Sequence, residues 1–349
     1  MSDYVFELAS SATMAKLGEL TRAKNRSLTL SLNRAGAFQM TLPLHEDLDG
    51  NAISMSELIE EGSTCVIIRR NQSIVWSGPV WTVQETTPDS LSVGCVGWLQ
   101  VLEKRCSKFA WGNPLSYPAQ DAGAIALDLL TRSNADNITG PNYVTPGTAE
   151  TTQSRTIKYQ PFSNILNEII ALSDLEAGYD MEVDPTTRKL NFYSTISTGT
   201  PVTFFQYGGN ARQVSRTSDM SKVSNRIIVY SSVGWIQVDD PISQAQFGVL
   251  EEAISLSDVK DTTILQAYAN AELAVRSNPL RFSSFEPRSG PSAPRIFQDF
   301  AVGSYGFVAV DRGRLKVDKQ LVRIFSASVS WPDDGTGTEQ VTSIQTTAG

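Results

Sequence analysis

The chain of 349 residues contains one histidine, His45, and three cysteines, Cys65, Cys95 and Cys106. With a single imidazole, any Ser–His or Cys–His nucleophilic mechanism must run through His45, and a histidine-rich metal site is excluded. His45 lies in Leu44-His45-Glu46-Asp47-Leu48-Asp49-Gly50, a polar connection where a solvated loop histidine is the expected state. The cysteines are odd in number and lack CxxC spacing, so neither a disulfide framework nor a zinc site is expected. Cys65 and Cys95 fall in strand patterns, where a thiol behaves as a small apolar side chain. No serine occupies a Gly-x-Ser-x-Gly elbow, no Walker lysine motif occurs, and Gly335-Thr336-Gly337 lacks the third glycine of a dinucleotide fingerprint. Counting Gly50 as position six of a calcium loop places His45 and Ser56 at the anchoring positions, which removes an EF-hand. No cofactor and no metal are expected.

Long apolar runs are missing as well. The stretch from Ile165 to Leu175 is broken by Asn167, Glu168, Ser173 and Asp174, too short and too polar to cross a bilayer. Met1-Ser2-Asp3-Tyr4-Val5-Phe6-Glu7 has neither the basic nor the apolar section of an export signal, so folding in a cytoplasm is the expectation. Basic residues are outnumbered, 29 Lys and Arg against 37 Asp and Glu, for a formal charge of -8. A sequence-reading nucleic-acid binder gains affinity from a basic stripe, so that class is disfavoured. An acidic wall past which nucleic acid slides without sticking is compatible with this balance.

What the chain does have is strand periodicity. Leu28, Leu30 and Leu32 alternate with polar residues, turn at Arg34-Ala35-Gly36, and return as Phe38, Met40 and Leu42, the pattern of a half-buried hairpin. Val66 and Ile68 lead through Arg70-Asn71-Gln72-Ser73 into Ile74 and Trp76, and Leu91, Val93 and Cys95 form a further run. Strands of this kind must close their apolar faces in a barrel or sandwich. Residues 1–110 therefore read as a first β-barrel domain.

Residues 111–200 read as an α/β middle domain. Asp121 is placed to cap a helix through Ile125, Leu129 and Leu130, and residues 137–154 read as a long loop. The strongest helical spacing runs from Phe162 through Ile165, Leu166, Ile169, Ile170 and Leu172, with Gly178 as its C′ stop. Tyr179, Met181 and Val183 then alternate into a hairpin with Leu190 and Phe192. Residues 201–349 read as a second β-barrel region with one helix, capped by Asp261 and lined by Leu265, Tyr268, Ala269 and Leu273. In its last long strand Phe325, Ala327, Val329 and Trp331 alternate, before a turn at Asp333-Asp334-Gly335-Thr336-Gly337. The fold class is mainly β with an α+β middle, two small barrels bracketing an α/β unit, and the barrels are allowed to be discontinuous in sequence.

Two groups of residues are candidates for function. Glu60-Glu61, Asp239-Asp240, Glu251-Glu252 and Asp333-Asp334 could supply the carboxylate pair of a glycosidase, but neighbours on a strand point to opposite faces and acids in turns face water. Phe109, Trp111 and Tyr117 in a breaker-rich loop, and Trp235 at a hairpin tip, would expose apolar surface and are the interface candidates. No catalytic residue is assigned.

The succession of motifs resembles the phage tail hub family, the baseplate or tail-tip hubs and minor tail proteins of tailed phages. It rests on Gly36-Ala37-Phe38-Gln39-Met40-Thr41-Leu42-Pro43, Val75-Trp76-Ser77-Gly78-Pro79-Val80 and Gly97-Trp98-Leu99-Gln100-Val101-Leu102-Glu103-Lys104-Arg105. It continues through the helix ending at Gly178-Tyr179-Asp180, Ser224-Asn225-Arg226-Ile227-Ile228-Val229 and the helix before Leu280. The resemblance implies a non-enzymatic structural protein of the virion at the distal tail, assembled in the host cytoplasm. It implies a homotrimer whose paired barrels present six like surfaces to the tail tube, around a pore that passes the tape measure protein and then DNA. Its partners would be the distal tail or tail-tube protein on one side and a tail fibre or tip protein on the other, with no specific DNA binding and no membrane span. Three copies at -8 each would carry -24, a charge that repels phosphate from the lumen. With the sequence stopping at Gly349, lysis and receptor binding are expected of other proteins. The rival readings are a carbohydrate-binding or cell-wall-hydrolysing tail-tip protein, using aromatics such as Trp111 or Trp235, and a distal tail ring protein with sixfold symmetry.

Overall fold

The computed structural model describes residues 4–43, 47–48, 51–86, 90–108, 115–135, 139–150, 152–175, 178–197, 199–256, 259–277, 280–288, 294–313, 315–333 and 339–348. The strand-period sequence is realised as one 13-stranded sheet. Its spine is the 17-residue strand Leu315–Trp331. The first half of that strand pairs with Tyr305–Arg312 and the second half with Lys24–Ser31, while Gln340–Ala348 runs along its other side. From Lys24–Ser31 the sheet continues through Ala37–Pro43, Ser90–Val96, Ser73–Thr86, Thr64–Arg70 and Tyr4–Ser10 to an edge at Lys16–Glu19. In the other direction it passes Leu280–Pro287 to Ala211–Asp219, and Pro201–Gln206 lies parallel to Tyr305–Arg312.

The N-terminal and C-terminal β blocks are therefore joined by hydrogen bonds, with Leu30 opposite Ala327 and Leu28 opposite Val329. Neither block closes on itself into a separate barrel among the described residues. They also share one core. Phe6 stacks on Phe38 at 5.7 Å and meets Trp331 edge-on at 5.1 Å, so the first strand folds back over the spine. The spine meets Gln340–Ala348 with two register shifts. A register shift between Ile324 and Ser326 turns Ile324 inward and leaves Phe325 facing solvent, whereas Ala327, Val329 and Trp331 are buried as their spacing predicts.

The middle unit packs on the back of this sheet. Its helices are Ala122–Ala135 and Ile165–Ser173. Asp121 accepts the Ala124 N–H at 3.0 Å, the expected cap, and its second oxygen holds Thr152. The second helix starts at Ile165 behind the cap Asn164, so Phe162 precedes it, exposed and at φ 69°. Gly178 acts by close approach and not as a left-handed stop: a Cβ there would stand 2.1 Å from the Ser173 carbonyl. Residues 145–149, expected in a loop, form the strand Thr145–Ala149 parallel to Lys189–Tyr193, which also pairs with Asp180–Val183. An edge position accommodates the Pro146 and Gly147 that made this segment read as loop.

Because the middle unit covers their outer face, the strands Tyr4–Ser10 and Thr64–Arg70 lie between two cores. Phe6, Leu8, Val66 and Ile68 belong to one, Ala9, Cys65 and Ile67 to the other, which explains the unbroken apolar run Cys65-Val66-Ile67-Ile68. Polar clamps fix the docking. Asn33 donates to the Tyr179 carbonyl and accepts the Met181 N–H; Ser77 donates to the Pro185 carbonyl at 2.6 Å and accepts from Trp98 Nε1 at 2.8 Å. Asp180 pairs with Arg323 of the spine.

A third unit departs from the expectation of a β region with one helix. Between Ala211–Asp219 and Leu280–Pro287 the chain leaves the sheet and builds a lobe over residues 224–277. Arg226–Ser231 pairs antiparallel with Gly234–Asp239 and parallel with Glu251–Ser255. Two helices, Pro241–Phe247 and Thr262–Arg276, complete it. The lobe has its own small core of Ile227, Val229, Leu265 and Ala269. Asn225, fully buried, organises the entrance by donating to the Gly248 carbonyl at 2.7 Å and accepting the Leu250 N–H at 2.8 Å. Asp261 caps the longer helix through the Thr263 N–H, as expected.

Candidate functional site

The interface candidates separate in the structure. Phe109 and Trp111 lie outside the described residues, as does His45. Tyr117 is buried: its ring packs edge-on against Tyr159 and its hydroxyl donates to Asp128 at 2.5 Å. Its apolar surface is already covered within the chain: Leu115–Asp121 is a strand paired with Ser154–Tyr159 and not an open loop, and the core of the helix Ala122–Ala135 packs on it. Trp235 is 65% exposed, on the hairpin whose turn contains Gly234 at φ 135°.

Trp235 stands directly opposite Tyr230 across the strand pair. Alternation sends Ile227 and Val229 into the lobe core and puts Arg226, Ile228 and Tyr230 on the outer face. On that face Trp235, Gln237 and Asp239 come from one neighbouring strand, and Glu251, Ala253 and Ser255 from the other. The surface is apolar and aromatic at the turn end and charged at the opposite end. At the charged end Arg226 reaches Asp239 at 2.6 Å and Glu251 at 2.9 Å. Sequence reasoning found Trp235 but not its companions. The signal was available in the alternation of Ile228 and Tyr230 with Ile227 and Val229, once a hairpin is placed at residues 231–234.

Two of the acidic pairs, Asp239-Asp240 and Glu251-Glu252, serve structure, and Asp334 lies outside the described residues. Hydrogen bonds from Gln237, Arg226 and Gln244 hold Asp239 down to about 2. Asp240 caps the helix Pro241–Phe247 and is lowered chiefly by the Ser243 N–H. Glu252, lowered first by Arg276, also accepts from Ser224. A general acid needs the opposite shift. Glu182 has it, raised by burial and then by Asp184, and it lines a cleft of about 210 Å³ beside Trp76, Trp98 and Val302. Asp184 is committed to the amides of Thr186 and Thr187, which fix the turn. Among the described residues no group of three or more His, Cys, Asp or Glu is arranged to hold a metal ion, and no helix is long and apolar enough to cross a membrane.

No family model and no curated protein matches the sequence. Solved structures do. A tail protein from Neisseria meningitidis MC58 overlays with a TM-score of 0.65 at 10% identity, covering 99% of this chain and 96% of the other. The 43 kDa tail protein of prophage MuSo2 from Shewanella oneidensis gives 0.65 at 13% identity, covering 99% and 98%. The prophage tail protein gp18 from Listeria monocytogenes gives 0.60 at 14%, covering 100% and 95%. The resemblance seen in the motif succession is thus met at the level of fold: from end to end, this chain has the architecture of these phage tail proteins.

Proposed function

We propose that this protein is a structural component of a phage tail, a hub at the distal tip that acts through assembly and not through turnover of a substrate. The observation that carries the reading is the two-way overlay, in which nearly all of this chain and nearly all of each tail protein coincide. A shared catalytic module inside a larger protein would match over part of one partner only. In this reading three copies form a ring that joins the tail-tube or distal tail protein to a fibre or tip protein, in the virion. The tape measure protein and then DNA pass through its lumen. The acidic balance of the chain supports passage without retention, because a lumen of net negative charge repels phosphate. Heterologous contacts repeated three times close such a ring.

Sedimentation velocity of the purified chain together with negative-stain imaging tests this. The expected particle is a three-cornered annulus with a central hole, bound to tail tips in labelled virions. A sixfold ring would replace the hub by a distal tail ring protein, and release of cell-wall sugars by the pure protein would replace it by a hydrolase.

A further inference from the structure

The lobe over residues 224–277 concentrates two surface properties. Tyr230, Val233, Trp235, Ile242, Val249 and Val275, nearly half of the exposed large apolar side chains among the described residues, belong to it. It also contains seven Asp and Glu against three Lys and Arg, a net -4, which is half the formal charge of the chain in a small fraction of its length. Its own core is built on Ile227, Val229, Leu265 and Ala269 with partly buried residues around them, and none of these exposed side chains belongs to it. An exposed aromatic face with Asp239 and Glu251 at one end, in a lobe of net negative charge, calls for a partner that brings an apolar anchor beside a basic residue.

The same chain carries that complement elsewhere. Residues 16–26 hold Lys16, Arg22, Lys24 and Arg26 against Glu19, a net +3 in an otherwise acidic protein; Lys16 is bound to Glu7 and Glu19 and Arg26 to Asp333, which leaves Lys24 as the exposed cation beside the edge. They include the edge strand Lys16–Glu19, which pairs only with Tyr4–Ser10 among the described strands, so the hydrogen-bonding groups of its outer side point away from the sheet. Leu17 on this edge is 43% exposed. An open sheet edge with an exposed leucine next to Lys16, and with Lys24 at the start of the following strand, is an interaction surface by its own chemistry.

We propose that the outer face of the lobe receives the Lys16–Glu19 edge and the following turn of a second copy of this chain, with Leu17 against Tyr230 and Trp235 and with Lys24 toward Glu251. The two patches differ, so the contact is heterologous and propagates around a ring, and the inference rests on the ring reading given above. The test is sedimentation velocity of the full chain at low and high salt. Trp235→Ala weakens self-association by about tenfold or more, as truncation of a buried aromatic anchor does. Glu251→Lys and Lys24→Glu each weaken it by about tenfold, and the two combined restore it, because the charges exchange places. All three side chains are at the surface, and unchanged thermal unfolding of each variant confirms that the fold is kept. A ring whose assembly ignores all three substitutions overturns the proposed contact and leaves the ring reading standing, as does a double variant that fails to recover. A wild-type chain that remains monomeric at every concentration overturns both.

Discussion

The middle unit is held to the spine of the sheet through one ion pair whose loss has a calculable effect. Asp180, on the strand Asp180–Val183, has a side chain only 6% exposed and accepts from the Ile196 N–H at 2.7 Å and from Arg323. Arg323 is 22% exposed, donates to the Gly303 carbonyl at 3.2 Å and lies over the Tyr305 ring at 5.6 Å. Removing one member of a buried pair costs about 3–5 kcal/mol, since the other is left charged and unmatched. Arg323 keeps two other contacts and some water, so Asp180→Ala falls at the lower end, about 3 kcal/mol. Arg323→Ala leaves a more deeply buried carboxylate with only the Ile196 amide and costs at least as much. In the double variant neither charge is stranded, and the loss is smaller than the sum of the single losses by about 2 kcal/mol. Urea unfolding followed by tryptophan fluorescence measures all three, with Trp98 reporting on the middle unit and Trp331 on the sheet. An Asp180→Ala variant within about 0.5 kcal/mol of wild type, or strictly additive losses, would refute the claim that this pair joins the two units.

Other parts of the structure give sharp expectations. Burial pushes the Cys65 thiol up to about 12 and Cys95 higher still, while Cys106 is exposed, so a chromogenic thiol reagent titrates one equivalent in the native protein and three after denaturation. Burial raises Glu7, but its bonds from Arg69 at 2.7 Å and from Lys16 outweigh this and leave it below the ordinary carboxylate value. A depressed folded value contributes stability above the unfolded range that disappears as pH falls through the folded one, so Glu7→Gln flattens the acid limb of a stability–pH profile. A Cβ at Gly78 would stand 2.0 Å from the Val96 carbonyl, and Gly78→Ala costs about 1–3 kcal/mol of stability through forced backbone movement, read as a lower urea midpoint. Tyr117, raised by burial and then by its bond to Asp128, stays protonated in a spectrophotometric titration until the protein unfolds in alkali.

Local rules made most elements legible, and long-range pairing accounts for the rest. Alternation located the strands at Leu28–Leu42, Val66–Trp76 and Leu91–Cys95, and cap chemistry fixed Asp121 and Asp261 at their helices, because these signals act within a few residues. The union of the two β blocks was invisible for the opposite reason. Leu28 and Val329 are some three hundred residues apart and nothing in either strand names its neighbour. The displaced Phe325 is a bulge effect, set by how the spine meets Gln340–Ala348 and not by its own period. Thr145–Ala149 was hidden by composition, since proline and glycine signal a loop unless an edge position spares them a full ladder. The short helix Pro241–Phe247 was readable, as Asp240 followed by Pro241 is a cap and first-turn pair, with Asp240 accepting from Ile242 and Ser243.

The candidate site divides along the same line. Trp235 could be singled out because a tryptophan beside a turn glycine has nowhere local to bury itself, whereas Tyr117 occupies equally loop-like sequence and is core. The difference lies in what packs on the face: the middle core, with Tyr159 and the helix Ala122–Ala135, covers Tyr117, whereas Tyr230 and Trp235 on the outer face of the Arg226–Ser231 pair stay exposed. A side chain's exposure is thus decided by what the fold stacks over its strand, a property of topology. In this protein the strands Tyr4–Ser10 and Thr64–Arg70 are covered on both faces, whereas the lobe, which meets Ser154–Tyr159 through its helix Thr262–Arg276, is left open on one side. Doubly covered strands together with an uncovered aromatic face on the lobe are what the proposed tail subunit would use to hold its own shape while offering surface to neighbours.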